Sequence, residues 1–338
     1  MEILKQLPAH KAKGVDGLPY EALKMCRRVI GPHLLRIFNA CFKLRLHPDH
    51  FKDTITIIIL KPTKSPELPN SYRPIALLNT IGKIFERLIA DKFKELVLTW
   101  DLLPHTQFGA PGKSTTLALE HLNNTIYTGW RLKKKVSLLG LDLTGAYDHI
   151  KRPQLLETLK SKKIPNWLIE ITWSFLSHRR TYVHMPGYNG GEYWVDVGIP
   201  QGSPLSPILF LFYAAPLLTD FLGNHPTSKV TMFSYVDDTY IVVWSKEYKD
   251  NCTVMAKIHK KIEEWALSSN LHFSPAKYHV MHFVQPCGKE YTGLPDIPGF
   301  ADLTTEQKAK ILPEKLSILG VIYDSRISWV PHIIEVRS

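Results

Sequence analysis

Cysteine is scarce in this chain, and what there is has no pattern. Cys26, Cys41, Cys252 and Cys287 are the four in 338 residues, and no two form a C-x-x-C pair. That spacing excludes a zinc module and a disulfide framework, so four reduced thiols are expected. Long apolar runs are also missing. The N-terminus "MEILKQLPAHKAKG" has no apolar signal core, and the most apolar stretch, "PILFLFYAAPLL" (207–218), is too short and too punctuated by proline to span a bilayer. A soluble, non-secreted, intracellular protein is the expectation. Internal repeats and low-complexity tracts are absent as well. Acidic residues are in deficit, with 31 Asp and Glu against 42 Lys and Arg, a formal net charge of +11. A basic excess of that size suits a polyanionic partner such as nucleic acid, although a merely basic protein would show it too.

What is present is enough for a folded core. Hydrophobic residues make up 44% and charged residues 22%, a globular rather than a disordered composition. The length exceeds the usual single domain of about 100–200 residues, so two or more subdomains are expected.

Helical spacing over 19–44 predicts two short helices broken at Gly31-Pro32, and "IGKIFERLIADKFKELVL" (81–98) is the clearest amphipathic helix. "DTITIIILKP" (53–62) and "KVSLLGLDL" (135–143) read as strands, and "PNWLIEITWSFLS" (165–177) as a helix. "RRTYVHM" and "EYWVDVGI" predict a hairpin across "PGYNGG", and 203–222 a core helix. A helix near 250–270, a strand at 278–284 and a last strand at 315–324 complete the set. Helices interleaved with hairpins predict an α+β fold, a sheet with helices on one face.

The chemistry concentrates in "FSYVDDTYIVV" (233–243), where two adjacent acids separate two strand-like runs. The pattern predicts a hairpin with Asp237 and Asp238 at its tip. Such a pair is either a solvated turn or one side of a divalent-metal site, since a cation between two carboxylates removes their repulsion. The second reading requires a third acid, and Asp142, closing the strand "LLGLDL", is the candidate. Three carboxylates in that arrangement suit two Mg²⁺ ions and in-line phosphoryl transfer.

"LDLTGAYD", "GIPQGSPLSPILF" and "FSYVDD", in that order, resemble successive motifs of reverse transcriptases, most closely those of non-LTR (LINE-like) retrotransposons. "GVDGLPYEALK" (14–24), "ILKP" and "NSYRPIALLNTIGKIFERLI" (59–89), "QFGAPGKSTTLAL" (107–119), "SPAKYHVMHF" (274–283) and "LGVIYDSRISWVPHI" (319–333) resemble that family's accessory motifs. The resemblance covers essentially the whole chain. It implies a right-hand polymerase with an RRM-like palm sheet and the thumb largely absent. Residues 1–115 would be fingers, 116–150 palm with the first acid, and 151–197 an insertion between fingers and palm. Residues 198–312 would be palm again, and 313–338 the primer-grip strand and the start of a thumb.

Residue by residue, the resemblance makes Asp142, Asp237 and Asp238 the metal-binding triad, with the carbonyl of Leu143 a further ligand. Tyr147 matches the aromatic gate that leaves no room for a ribose 2′-hydroxyl, although its ring would also suit a core. Arg73 matches the cation that holds the incoming triphosphate, with Lys61 a second phosphate contact. Gln201 and Gly202 match the loop that lines the nucleotide pocket. Lys277 matches a general acid toward pyrophosphate, with a surface lysine as the alternative. Leu319 and Gly320 belong to the primer-end hairpin. The basic clusters Lys133, Lys134, Lys135 and Arg179, Arg180 are candidates for tracking a nucleic-acid backbone, or for plain solvated faces.

Two departures stand out. Val236 occupies a position where this group more often has Ala, and "FGAPGKSTTLAL" lacks the arginines usual in that motif. The function implied is RNA-directed DNA synthesis from a primer 3′-OH with dNTPs on an RNA template, with two Mg²⁺ (or Mn²⁺) ions. RNA template, DNA primer or target and dNTPs would be the partners, no membrane, and a nuclear setting is implied by resemblance alone. No nuclease motif accompanies the polymerase motifs, so a fragment of a larger protein, fused there to an endonuclease, is expected. The alternative is a weakly active or inactive RNA-binding remnant, resembling a maturase or a domesticated element.

Overall fold

The computed structural model describes residues 2–62, 65–68, 71–185, 187–221, 225 and 227–337. Thr63, Lys64, Pro69 and Asn70, in the proline-rich loop of the accessory stretch 59–89, fall outside them. Strands run in chain order β1 (Thr54–Leu60), β2 (Tyr72–Leu78), β3 (Lys135–Leu141), β4 (Leu143–Thr144), β5 (Arg179–Met185), β6 (Tyr188–Val195), β7 (Lys229–Tyr235), β8 (Asp238–Ser245), β9 (His272–Phe273), β10 (His279–Phe283), β11 (Lys315–Ile318) and β12 (Val321–Asp324). The described residues divide into two compact units. One comprises Met1–Leu102 with Tyr147–Tyr213, the other Leu103–Ala146 with Ala214–Ser338. The segment 198–213, which the motifs assign to the palm, falls in the first of these units.

The first unit is built on a sheet of order β2-β1-β5-β6, antiparallel except for the parallel β1–β5 pair. Its helices include Arg27–Leu44, Thr80–Trp100 and Asn166–Leu176. Arg27–Leu44 runs unbroken through Gly31-Pro32, and the break expected there falls at Cys26 instead. Burial of Gly31, Leu34, Phe38 and Cys41, at helical spacing along one face, holds the helix together across the proline. Phe38 and Phe42 both pack on Phe85 with ring centroids 5.2 Å apart, which ties this helix to Thr80–Trp100.

The second unit holds the sheet β10-β3-β8-β7, antiparallel throughout. Both faces of β3 are buried, since Val136, Leu138 and Leu139 are all inaccessible. Leu139 and Leu141 face Met255, Ile258 and Ile262 of the helix Tyr248–Ser268. Val136 and Leu138 face Ala118, Leu122 and Ile126 of the helix Thr115–Arg131, together with Leu316, Ile318 and Tyr323 of the β11–β12 hairpin. The sheet therefore carries helices on both faces rather than one, as its near-continuous apolar strand β3 requires. The stretch 315–324, expected as one strand, folds back at Leu319 and Gly320, both at positive φ. No helix among the described residues is long and apolar enough to cross a membrane.

Candidate active site

β3 and β8 bring the three acids of the second unit to one end of its sheet. The last ladder pair is Leu141 with Thr239, so continuing the register by one residue sets Asp142 across from Asp238. Asp238 in turn opens β8 opposite Tyr235, leaving Val236 and Asp237 as a two-residue bend. Only Asp237 is thus at the tip; Asp238 belongs to the strand. Both are exposed. Crowding by protein atoms, then the charges of Asp237 and Asp142, push the Asp238 carboxyl up to about 6. The acids feel one another's charge, the condition a divalent ion would relieve.

Asp142 already has a cation. Lys277, from the short turn between β9 and β10, sets its Nζ 2.8 Å from Asp142 Oδ2. The main-chain carbonyl of Asp142 accepts from Ser274 N–H at 3.0 Å, which ties the same turn to the acid a second time. Leu143 lies in the two-residue ladder β4–β9, paired with Phe273. Among the described residues, no three His, Cys, Asp or Glu side chains converge closely enough to enclose an ion as they stand. The donor set suits a hard cation in charge and in oxygen chemistry, and Lys277 holds part of the place such an ion would take.

Of the nucleotide-contact candidates, Lys61, Arg73, Tyr147, Gln201 and Gly202 lie in the first unit and Leu143 in the second. Arg73 is exposed on β2 and paired with Ile59; Lys61 follows β1, its N–H donating to Ser71 O at 2.8 Å. Strand alternation puts Lys61 and Arg73 on the same face of the ladder as diagonal neighbours, two cations side by side. Three residues further along β2, Ala76 N–H donates to the Gln201 carbonyl at 3.0 Å. Gly202 sits at φ +118, where a Cβ would lie 2.8 Å from Ala76 O, so only glycine fits. Tyr147 stacks on Phe210 with centroids 5.4 Å apart, and its carbonyl accepts from Ile199 N–H at 2.9 Å. Gln201, Pro74, Ala76, Asp148, Arg152 and Arg179 are among the residues lining a cavity of about 220 Å³ in this unit.

The basic candidates scatter. Lys133, Lys134 and Lys135 form the turn into β3, at the end of the sheet opposite Asp142, about 20 Å away at roughly 3.3 Å per strand residue. Arg179 is 3% exposed, donates to Phe175 O at 3.0 Å and has Glu86 as its principal opposite charge. A buried guanidinium cannot follow a template on the surface, so Arg179 leaves that set. Arg180 is held by Asp53 through two bonds of 3.0 and 3.1 Å, with Glu192 at 3.4 Å.

Two sets of residues were given no individual role by the sequence reading, although the accessory stretches 59–89 and 107–119 contain Glu86, Gln107 and Gly109. Glu86 is fully buried, pushed upward by burial, and accepts from Ser203 Oγ at 2.6 Å; Ser203 Oγ accepts in turn from Leu205 N–H, stiffening the chain just after Gly202. His47 Nε2 stands 3.8 Å from Glu86 Oε1, and burial together with the Arg179 charge keeps the imidazole neutral. An acid on the buried stripe of the helix Thr80–Trp100 was the available signal. The other set is Gln107 and Gly109, which touch Val236; nothing in periodicity marks them.

An antiparallel sheet backed by helices, with one acid just past a strand end, a second opening the neighbouring strand and a third in the bend before it, is the arrangement of a polymerase palm. The chain belongs to the family described as reverse transcriptase (RNA-dependent DNA polymerase), whose model matches residues 59–323. It is 27% identical over 98% of its length to the probable RNA-directed DNA polymerase from transposon BS of Drosophila melanogaster, covering 36% of that protein. It is 26% identical over 99% of its length to the RNA-directed DNA polymerase from mobile element jockey of the same organism, again covering 36%. The likeness to non-LTR element proteins read from the motifs is borne out. The chain spans about a third of the length of these curated relatives. Among solved structures, apo telomerase from Candida tropicalis, truncated from its C-terminal domain, matches 86% of this chain and 57% of that one, with a TM-score of 0.54 at 12% identity. That likeness supports the polymerase fold.

Proposed function

We propose that this chain is the catalytic core of an RNA-directed DNA polymerase that extends a primer 3′-OH with dNTPs on an RNA template. The observation that carries the reading is the register of β3 on β8, which sets Asp142 opposite Asp238 within reach of each other's charge. Asp142, Asp237, Asp238 and the Leu143 carbonyl would hold two divalent ions, which when bound lower the pKa of the primer hydroxyl and neutralise the triphosphate. Lys277 must then release Asp142, and its freed ammonium would serve as the proton donor to the departing pyrophosphate. Arg73 and Lys61 offer adjacent cations to the phosphates, and Gln201 and Gly202 the pocket wall. Tyr147, backed by Phe210, supplies the flat surface that refuses a 2′-hydroxyl. In this reading the first unit serves as fingers and the second as palm, and the nucleic-acid partners and dNTPs follow from the reaction.

Primer extension on an RNA template with dNTPs and Mg²⁺ tests it, beside the Asp237→Asn/Asp238→Asn double variant. Incorporation is expected from the parent protein and none from the double variant; equal incorporation from both would sink the catalytic assignment. One observation favours the binding remnant as the second reading: Lys277 and Asp142 already form a pair that needs no metal. Under that reading both proteins bind RNA and neither extends a primer.

A further inference from the structure

The polar groups of the acidic bend converge on one side chain. Gln107 is 1% exposed. Its Oε1 accepts from Val236 N–H at 3.1 Å and from Gly109 N–H at 3.0 Å. Its Nε2 donates to Ser234 Oγ at 2.7 Å and reaches the Val236 carbonyl at 3.5 Å. A primary amide has two acceptor and two donor positions, and all four are engaged here.

The backbone reinforces the contact. Phe108 N–H donates to Ser234 O at 2.7 Å and Ser234 N–H to Thr106 O at 3.0 Å, so Gln107 bridges β7 in parallel. Gly109 admits the approach: a Cβ there would lie 2.7 Å from Val236 N and 2.8 Å from its Cγ2.

The bend needs such support. Val236 sits at φ +60, a left-handed conformation. Hairpin bends with positive φ at the first central residue favour glycine, and a β-branched side chain is disfavoured there. Without an external hold, Val236 would relax toward negative φ and carry the following peptide with it. Asp237 follows it in the bend and Asp238 opens β8 directly after, so the path that delivers both carboxylates runs through that torsion.

We propose that Gln107, admitted by Gly109, is a positioning residue for the acidic bend: its amide holds Val236 left-handed and thereby aims Asp237 and Asp238 toward Asp142. The catalytic consequence rests on the polymerase reading above, whereas the hold on the backbone does not. Three measurements on the full chain test it: amide exchange at Val236 by NMR, Mn²⁺ binding by electron paramagnetic resonance with the metal alone, and primer extension resolved into kcat and KM. Gln107→Leu keeps the volume and removes the amide. Val236 N–H should then exchange faster, Mn²⁺ affinity and kcat should each fall about tenfold, and the dNTP KM should move less than about twofold. Adding Val236→Gly, which accepts positive φ without help, should recover much of both losses; a merely structural role for Gln107 would not be rescued there. Unchanged Val236 exchange in Gln107→Leu overturns the proposal, as does a loss that Val236→Gly leaves untouched. Where Gln107→Leu fails to fold, Gly109→Ala, which presses on Val236 from the same side, decides on the same readouts. Parent protein that protects Val236 but extends no primer would sink the polymerase reading alone.

Discussion

Replacing Asp238 with Asn should stabilise the metal-free protein and remove most of its response to Mg²⁺. The carboxyl is raised from 3.8 to about 6 by crowding and by the charges of Asp237 and Asp142. A shift of roughly two pK units corresponds to about 3 kcal/mol against the ionised form. Asp238 is exposed, and solvent screening reduces that to about 1 kcal/mol. The sign follows from the folded pKa lying above the unfolded one. Below about pH 4 the carboxyl is protonated in both states and the substitution gains nothing; from pH 4 to 6 the gain grows, and above pH 7 it is complete. In EDTA at pH 7.5 the variant should melt about 2 °C higher, and the difference should shrink as the pH falls toward 5. With Mg²⁺ at a hundred times its dissociation constant, binding adds about 2.7 kcal/mol to the parent protein and little to the variant, so the order of the two melting temperatures inverts. Calorimetry with and without Mg²⁺ reads both effects. A variant less stable than the parent in EDTA at pH 7.5, or an equal Mg²⁺ shift in both proteins, would refute the electrostatic account of the site.

Arg179→Met should cost about 1–3 kcal/mol by leaving the Phe175 carbonyl without its donor, yet leave the salt dependence of RNA binding unaltered; a change in that slope would return Arg179 to the nucleic-acid surface. Glu86→Gln should flatten the dependence of stability on pH between 5 and 8, because burial holds this carboxyl above its ordinary range and its ionisation as pH rises costs stability; an unaltered profile from denaturant melts would count against that. Tyr147→Ala should raise the ratio of ribonucleotide to deoxynucleotide incorporation about tenfold or more, and unchanged sugar selectivity in a competition assay would remove its gate role. Replacing Lys133, Lys134 and Lys135 with Ala should reduce the slope of log affinity against log salt by up to about 3 if all three meet phosphate, and a slope equal to the parent's would place them on a solvated face.

Much of this protein was legible in its residues because the signals are local. Alternation and helical spacing located the strands at 54–60 and 135–141 and the helix over 80–100, and adjacent acids between strand-like runs marked the bend. Asp142 could be nominated because a carboxylate closing an apolar strand demands an explanation wherever it occurs. The family resemblance then ordered the motifs along the chain. Tertiary structure decided what depends on contacts between distant segments. Arg179 and Arg180 are neighbours in a basic run, but strand alternation sends the first inward to the Phe175 carbonyl and the second to Asp53, and no reading of charge separates them. Lys277 became the partner of Asp142 only when the turn before β10 was brought against the end of β3. The hold of Gln107 on Val236 joins residues 129 positions apart and shows in no periodicity, since periodicity reports which face a side chain occupies and not what waits there. Composition and spacing thus set the elements and the chemistry available, and the pairing of β3 with β8 settled which acids meet, because register is fixed by burial on both faces of the sheet.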